Sequence, residues 1–202
     1  MKLFFVPGYC SLAVHIALNE AQLQATLDQV DLASQRSAAG VDYRAINPKG
    51  YVPALQLEDG EVLTEVAVII QYLADQNPDL HLAPPAGTLA RYRLQEWLNF
   101  IATEIHKGLG QMFNPAMTPD QRIAQFERLQ PRLDYVDARL QQSPCLMGDS
   151  FSVADIYLFT ILNWRNFLDL DFSRWPALLD FAARVAARPA VAKTMQEEGL
   201  AG

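Results

Sequence analysis

The stretch from Asn47 to Leu73, NPKGYVPALQLEDGEVLTEVAVIIQYL, constrains the fold more than any other part of the chain. Asn47-Pro48-Lys49-Gly50 is turn chemistry, and Val52-Pro53 leads into an alternating run, Ala54 to Leu57, that suits a half-buried strand. Asp59-Gly60 signals a hairpin, with Glu61 to Thr64 returning as the partner strand. The apolar run Val66 to Ile70, continued by Tyr72 and Leu73, is too long for a third strand and predicts a buried helix starting near Thr64-Glu65. A strand, a hairpin and a helix N-terminus therefore converge at one place.

The chain has 202 residues, enough for one large domain or two small ones, each with its own core. Half of it is hydrophobic and 19% is charged, the balance of a soluble globular protein. A net charge of -7 repels a phosphate backbone, which excludes nucleic acid as a partner. Met1 to Gly8 is a short apolar run ended by a turn, unlike a signal peptide, and no stretch approaches the roughly 18 apolar residues that span a bilayer. Two cysteines, Cys10 and Cys145, form neither a disulfide framework nor a CxxC pair. These features predict a cytoplasmic, reducing location without a membrane partner.

Leu3 to Val6 is the first strand, broken by Pro7-Gly8-Tyr9 before a helix from about Ser11 to Gln22. Leu27 to Leu32 alternates as a second strand, with Val30 and Leu32 on one face and Asp28, Gln29 and Asp31 available to solvent or partners. Ala33 to Gly40 lacks periodicity and reads as a surface loop; Asp42 to Ile46 is a short helical turn. Strand-helix-strand order followed by a hairpin and a helix predicts a small covered sheet over residues 1–78. Asp79 to Gly87, containing Pro84-Pro85, reads as a linker, and from Thr88 to the end the chain is helical. Thr88 caps a long helix carrying Trp97, Ile101 and Ile105 and ending at Gly108 to Gly110. Thr118-Pro119-Asp120-Gln121 starts another, in which Pro131 predicts a kink. Ser152-Val153-Ala154-Asp155 opens a helix apolar on nearly all sides, the expected centre of the unit spanning 88–202. Trp175-Pro176 starts a further helix that Pro189 stops, and the tail is helical to Glu198.

Cys10 stands where a strand hands over to a helix. There the dipole and free N–H groups favour thiolate, although buried cysteines are commonly inert. Tyr9 and Ser11 flank it, and either hydroxyl can instead donate to a substrate thiolate. Asn99, Thr103 and His106 fall at spacings of four and three, which makes a polar stripe that is either a solvated face or a site. Glycines after Glu104, His106 and Lys107 permit close approach of a chain or ligand. No HxxxH or CxxC spacing exists, so no metal site is predicted. At Val52 the main-chain N–H and C=O can pair with an extended peptide, and a cis bond before Pro53 would turn that edge outward. The N–H groups at Glu65-Val66 suit a carboxylate, and the Glu65 side chain suits an ammonium. Together they describe either a receptor for the zwitterionic end of an amino acid or a buried strand–helix junction.

Pro7-Gly8-Tyr9-Cys10-Ser11, Asn47 to Pro53, Leu63-Thr64-Glu65, Glu96-Trp97-Leu98-Asn99, Glu104-Ile105-His106-Lys107 and Gly148 to Asp155 span the chain from end to end. In residues and spacing they resemble the glutathione S-transferases, most closely the bacterial beta class. The resemblance implies an α/β thioredoxin-like domain with a mixed four-stranded sheet, an all-α C-terminal bundle lining an electrophile site, and a homodimer. Val52 would pair with the cysteinyl backbone of glutathione beside a cis Pro53, while Glu65 and Val66 bind the γ-glutamyl end. Cys10 would lie beside the glutathione sulfur, with Asn99, His106 and Lys107 facing it. The implied chemistry is attack of the glutathione thiolate on a small hydrophobic electrophile, with thiol–disulfide exchange through Cys10 as a second capacity. The alternatives are a non-catalytic glutathione-binding or protein-interaction module, or a glutathione-dependent reductase or isomerase. The chain departs from the family at Val66, where many members have serine or glycine, at Phe5, where tyrosine is common, and at Tyr9, which is bulkier than expected.

Overall fold

In a computed structural model, residues 1–200 are described, and their contacts divide the chain into two compact units. The first comprises Met1–Ala83 together with residues 187–200, and the second is Pro84–Ala186.

The first unit is built on a mixed sheet. In chain order it runs β1 (Lys2–Phe5), α1 (Ser11–Glu20), β2 (Thr26–Asp31), β3 (Arg36–Ser37), α2 (Tyr43–Ile46), β4 (Ala54–Gln56), β5 (Val62–Thr64) and α3 (Val66–Gln76). The strand order is β3-β2-β1-β4-β5, with β1 and β2 parallel and the other pairs antiparallel. Register follows the two-residue period: Leu3 faces Leu55 across the ladder and Phe4 faces Ala54. Phe4, Val30, Tyr43, Val52 and Ala54 form the core on one side of the sheet.

Five strands, rather than the expected four, make up the sheet. The fifth, β3, lies inside the segment read as a loop; two residues are too few to show an alternating pattern. Of the two possibilities for Asp28, solvent or a partner, the structure has the partner. Asp28 shares the face of Val30 two residues on, is buried, and receives the Ala39 N–H at 3.3 Å.

Eight consecutive residues of α1, Ser11 to Leu18, are buried. A helix enclosed on every side needs a cover beyond its sheet and α3, and a C-terminal helix provides it. The second unit supplies α4 (Leu89–Phe100), a π-helical segment at Ile101–His106, α5 (Lys107–Gln111), α6 (Pro119–Leu140), α7 (Val153–Leu162), α8 (Trp164–Leu168) and α9 (Pro176–Ala186). The chain then returns as α10 (Pro189–Glu197), which packs on α1. Residues 187–200 thus cluster with the sheet unit instead of the helical unit expected over 88–202. Arg188 pairs with Glu20 through two bonds of 2.7 and 2.8 Å, and the Asn19 amide donates to the Thr194 hydroxyl at 2.8 Å.

In the helical unit the sequence signals for helix starts hold. The Thr88 hydroxyl accepts the Arg91 N–H, and Thr118 with Gln121 forms a reciprocal capping box. α6 runs as one helix through Pro131. Gly108 is a packing glycine: a Cβ there would stand 2.8 Å from Leu129 Cδ1, so its lack of a side chain lets α5 lie close on α6.

Asp155 fixes the start of α7. Its Oδ1 accepts the Leu146 N–H at 2.8 Å, while Oδ2 accepts the Ser152 N–H at 2.9 Å and the Ser152 hydroxyl at 2.8 Å. Burial pushes the carboxyl up to about 6 despite these donors, from an ordinary value of 3.8. The folded chain therefore holds an extra proton between those two values. That stabilisation is complete below the lower one and is lost as pH rises through about 6. Urea unfolding of the unmodified protein should show this component, up to about 3 kcal/mol across the window. Asp155→Ala should lack it and be less stable at neutral pH by about 1–3 kcal/mol, because three donors lose their acceptor. A stability difference between the two proteins that does not change with pH would contradict the burial account.

Candidate active site

The expected convergence in the first unit is present. The Val52–Pro53 peptide is cis, and Val52 stands just before β4. The preceding carbonyl, Tyr51 O, accepts two hydrogen bonds of 2.7 Å, one from the Tyr43 hydroxyl and one from the Asn47 side-chain amide. Tyr43 is fully buried, and loss of water raises its phenol to about 12, so it serves as a donor. Gly50 completes this turn at φ 70°, where a Cβ would also meet Gln35 Oε1 at 2.9 Å. Neither Tyr43 nor the amide role of Asn47 was evident from the sequence, because the contact that defines each is made through folding of the turn.

Cys10 lies at the N-cap of α1 and donates its thiol to Val52 O at 3.3 Å. The helix end favours thiolate there, and burial, the other reading, acts against it. Desolvation pushes the Cys10 thiol up to about 12; the backbone N–H groups of Cys10 and Ser11 act in the expected downward direction but are outweighed, and the Glu65 charge adds to the rise. Ser11 is fully buried, and its hydroxyl is committed to Val6: it donates to Val6 O and accepts the Val6 N–H, both at 3.1 Å. It anchors the loop that carries Cys10. Tyr9 is exposed, whereas Phe5 is buried with its ring 6.1 Å from that of His15.

Glu65 has φ 73°, in the left-handed region a non-glycine residue rarely occupies, and immediately precedes α3. Val66 buries its side chain, leaving its first-turn N–H as its polar offering. The Glu65 carboxylate is exposed and accepts Lys49 Nζ at 2.6 Å.

The loop before Cys10 has a second support that sequence reading missed. Buried Glu198 accepts the Gly8 N–H at 2.9 Å through Oε2 and binds His15 Nδ1 at 2.9 Å through Oε1. His15 Nε2 lies 3.0 Å from Glu197. With 190 residues between Gly8 and Glu198, no local pattern could have linked them.

In the second unit, Asn99 is exposed on α4 and Lys107 is exposed at the first position of α5. His106 is half-buried, with Nδ1 2.6 Å from the Tyr157 hydroxyl and its ring 5.0 Å from that of Trp164. The predicted stripe of Asn99, Thr103 and His106 assumed α-helical spacing. Ile101–His106 is instead π-helical, with more residues per turn, which displaces the three-residue spacing of Thr103 and His106, while the Thr103 hydroxyl still donates to Asn99 O at 3.0 Å. An open cleft of about 950 Å³ lies along α5 and the start of α6, lined by Phe113, Ala116 and Met117 with Gln125 and Arg128.

A thioredoxin-like sheet unit with a cis proline beside a helix-capping cysteine, followed by an all-helical unit, defines a recognisable class. A family model for the glutathione S-transferase N-terminal domain matches residues 9–76, and one for the C-terminal domain matches residues 100–189. The chain is 44% identical over 200 residues to glutathione S-transferase GstA of Escherichia coli O157:H7, covering 99% of this chain and 100% of that one. It is similar to the solved structure of a sphingomonad glutathione S-transferase complexed with glutathione (44% identity, TM-score 0.95, all of both chains covered). The beta-class enzyme of Sphingomonas chungbukensis gives 43% identity and the same TM-score and coverage. The chain belongs to the glutathione S-transferase family.

The raised Cys10 pKa has a direct readout. In the ligand-free protein, alkylation of Cys10 by iodoacetamide, followed on its peptide by mass spectrometry, should rise about tenfold per pH unit from pH 8 to 10 without levelling. A plateau below pH 9 would show a thiol of ordinary or lowered pKa.

Proposed function

We propose that this protein is a glutathione transferase that joins the sulfur of glutathione to a small hydrophobic electrophile. Glutathione loses its thiol proton, the sulfur pair forms a carbon–sulfur bond, and the leaving group departs with its own pair. The observation that carries the reading is the backbone at Val52, held by the Tyr43 and Asn47 bonds to Tyr51 O and flanked by the Cys10 thiol and Glu65. Val52 N–H and C=O offer the pairing edge for the cysteinyl residue, beside Pro53. Glu65 takes the ammonium and the Val66 N–H the carboxylate of the γ-glutamyl end. Cys10, protonated at neutral pH, acts as a hydrogen-bond donor that steadies the glutathione thiolate and lowers its pKa. This ranks conjugation above thiol–disulfide exchange, which needs Cys10 itself as thiolate. Ser11 positions the Cys10 loop and Tyr9 borders it; His106, Asn99 and Lys107 are candidate residues by their match to the family pattern.

The proposal extends to a homodimer. In the second unit the rings of Trp97, Phe100 and Tyr135 lie within 5.4 to 6.1 Å of one another, and Tyr135 is largely exposed. An aromatic face of this kind suits a second copy of the chain. The proposal includes a reducing, cytoplasmic location, where thiols such as Cys10 stay reduced.

Calorimetry with glutathione, and absorbance of its adduct with an activated chloronitrobenzene, test the reading. Binding below millimolar concentration and turnover are expected, with Glu65→Ala losing about 10- to 100-fold in glutathione affinity. Failure to bind millimolar glutathione would end the reading, and binding without turnover of any electrophile would favour a binding module. Light scattering should give the mass of two chains.

A further inference from the structure

The Lys49–Glu65 contact has a consequence for ligand selection that rests on the assignment of Glu65 to the γ-glutamyl ammonium. Lys49 Nζ lies 2.6 Å from Glu65 Oε1 and 3.0 Å from Thr64 Oγ1, so the ammonium has two acceptors at the mouth of α3. Its backbone is fixed as well: the Lys49 N–H donates to Asn47 Oδ1 at 3.2 Å, in the same turn whose Asn47 amide holds Tyr51 O. An exposed lysine ordinarily spreads over many rotamers, but this one is tethered at both ends.

We propose that Lys49 is an internal competitor for the glutathione ammonium, a specificity-determining residue that occupies Glu65 in the free protein and yields when ligand binds. The chemistry is that of like charges. A primary ammonium arriving at Glu65 either displaces Lys49 from Oε1 or takes Oε2 and shares the carboxylate with it. Displacement costs the existing pair, and sharing places two cations around one anion. Both weaken the ammonium contact relative to a vacant Glu65. Lys49 also attracts the carboxylates of any glutathione-like peptide, so its removal has two effects of opposite sign. Only the first of them requires the ligand to carry an ammonium.

Two ligands separate those effects: glutathione, and its desamino analogue glutaryl-cysteinyl-glycine, which keeps both carboxylates, the thiol and the backbone. Dissociation constants for each are measured by calorimetry on the intact protein and on Lys49→Met and Lys49→Arg. Lys49 is half-exposed, and a circular-dichroism melt checks that both variants remain folded. The readout is the preference for glutathione over the analogue. It should increase about two- to fivefold in Lys49→Met, the range of an exposed ion pair, and stay at the parent value in Lys49→Arg. The preference should also fall more steeply with salt in Lys49→Met than in the parent, because the ligand ammonium then meets an unneutralised Glu65. An unchanged or reduced preference in Lys49→Met would overturn the assignment, making Lys49 a bystander or a ligand contact. Absence of binding by both peptides to all three proteins would instead overturn the glutathione reading of the site.

Discussion

One carbonyl organises the binding edge. Tyr51 O receives two short hydrogen bonds, from a buried tyrosine and from the asparagine that starts the preceding turn, and this fixes the direction in which Val52 presents its own N–H and C=O. Backbone recognition needs that fixity, because a main-chain donor and acceptor carry no side chain that can adjust to the ligand. The same turn places Lys49 against Glu65, and Cys10 closes on Val52 O from the end of α1. Turn, strand edge, thiol and carboxylate are therefore one connected set of hydrogen bonds.

Cys10 illustrates how competing effects are settled by magnitude. A helix N-terminus lowers a thiol pKa, and both local N–H groups work in that direction. Removing the sulfur from water works against them and wins, with a neighbouring carboxylate adding to the result. A thiol that keeps its proton is a poor nucleophile but a usable donor. The proposed role of Cys10, steadying a ligand's sulfur while glutathione acts as nucleophile, follows from that balance.

The position of that thiol depends on both ends of the chain. α1 is apolar on all sides and buried from Ser11 to Leu18, so it cannot rest on the sheet and α3 alone. α10 covers it, and Glu198 reaches from the end of that helix to the Gly8 N–H and to His15. Ser11 ties the same loop to Val6. The loop before Cys10 is thus held by short-range bonds that a local motif can encode and by one long-range carboxylate that it cannot.

By itself, the sequence determined the elements whose causes are local. Alternation and Asp59-Gly60 produced the hairpin; Thr88, Thr118 and Ser152 with Asp155 started their helices; and Val52-Pro53 marked the entry to β4. The family pattern was legible for the same reason, since its motifs are short and regularly spaced. Tertiary structure decided what depends on burial and on distant partners. It set burial against the helix end at Cys10, buried Asp28 beside Val30, added β3 through pairing with β2, and sent residues 187–200 back to the sheet unit. It also inserted a π-helical segment before His106, where sequence spacing alone assumes the α-helical period. Desolvation, long-range pairing and a change of helical pitch leave no local pattern in a chain, which is why only the fold could reveal them.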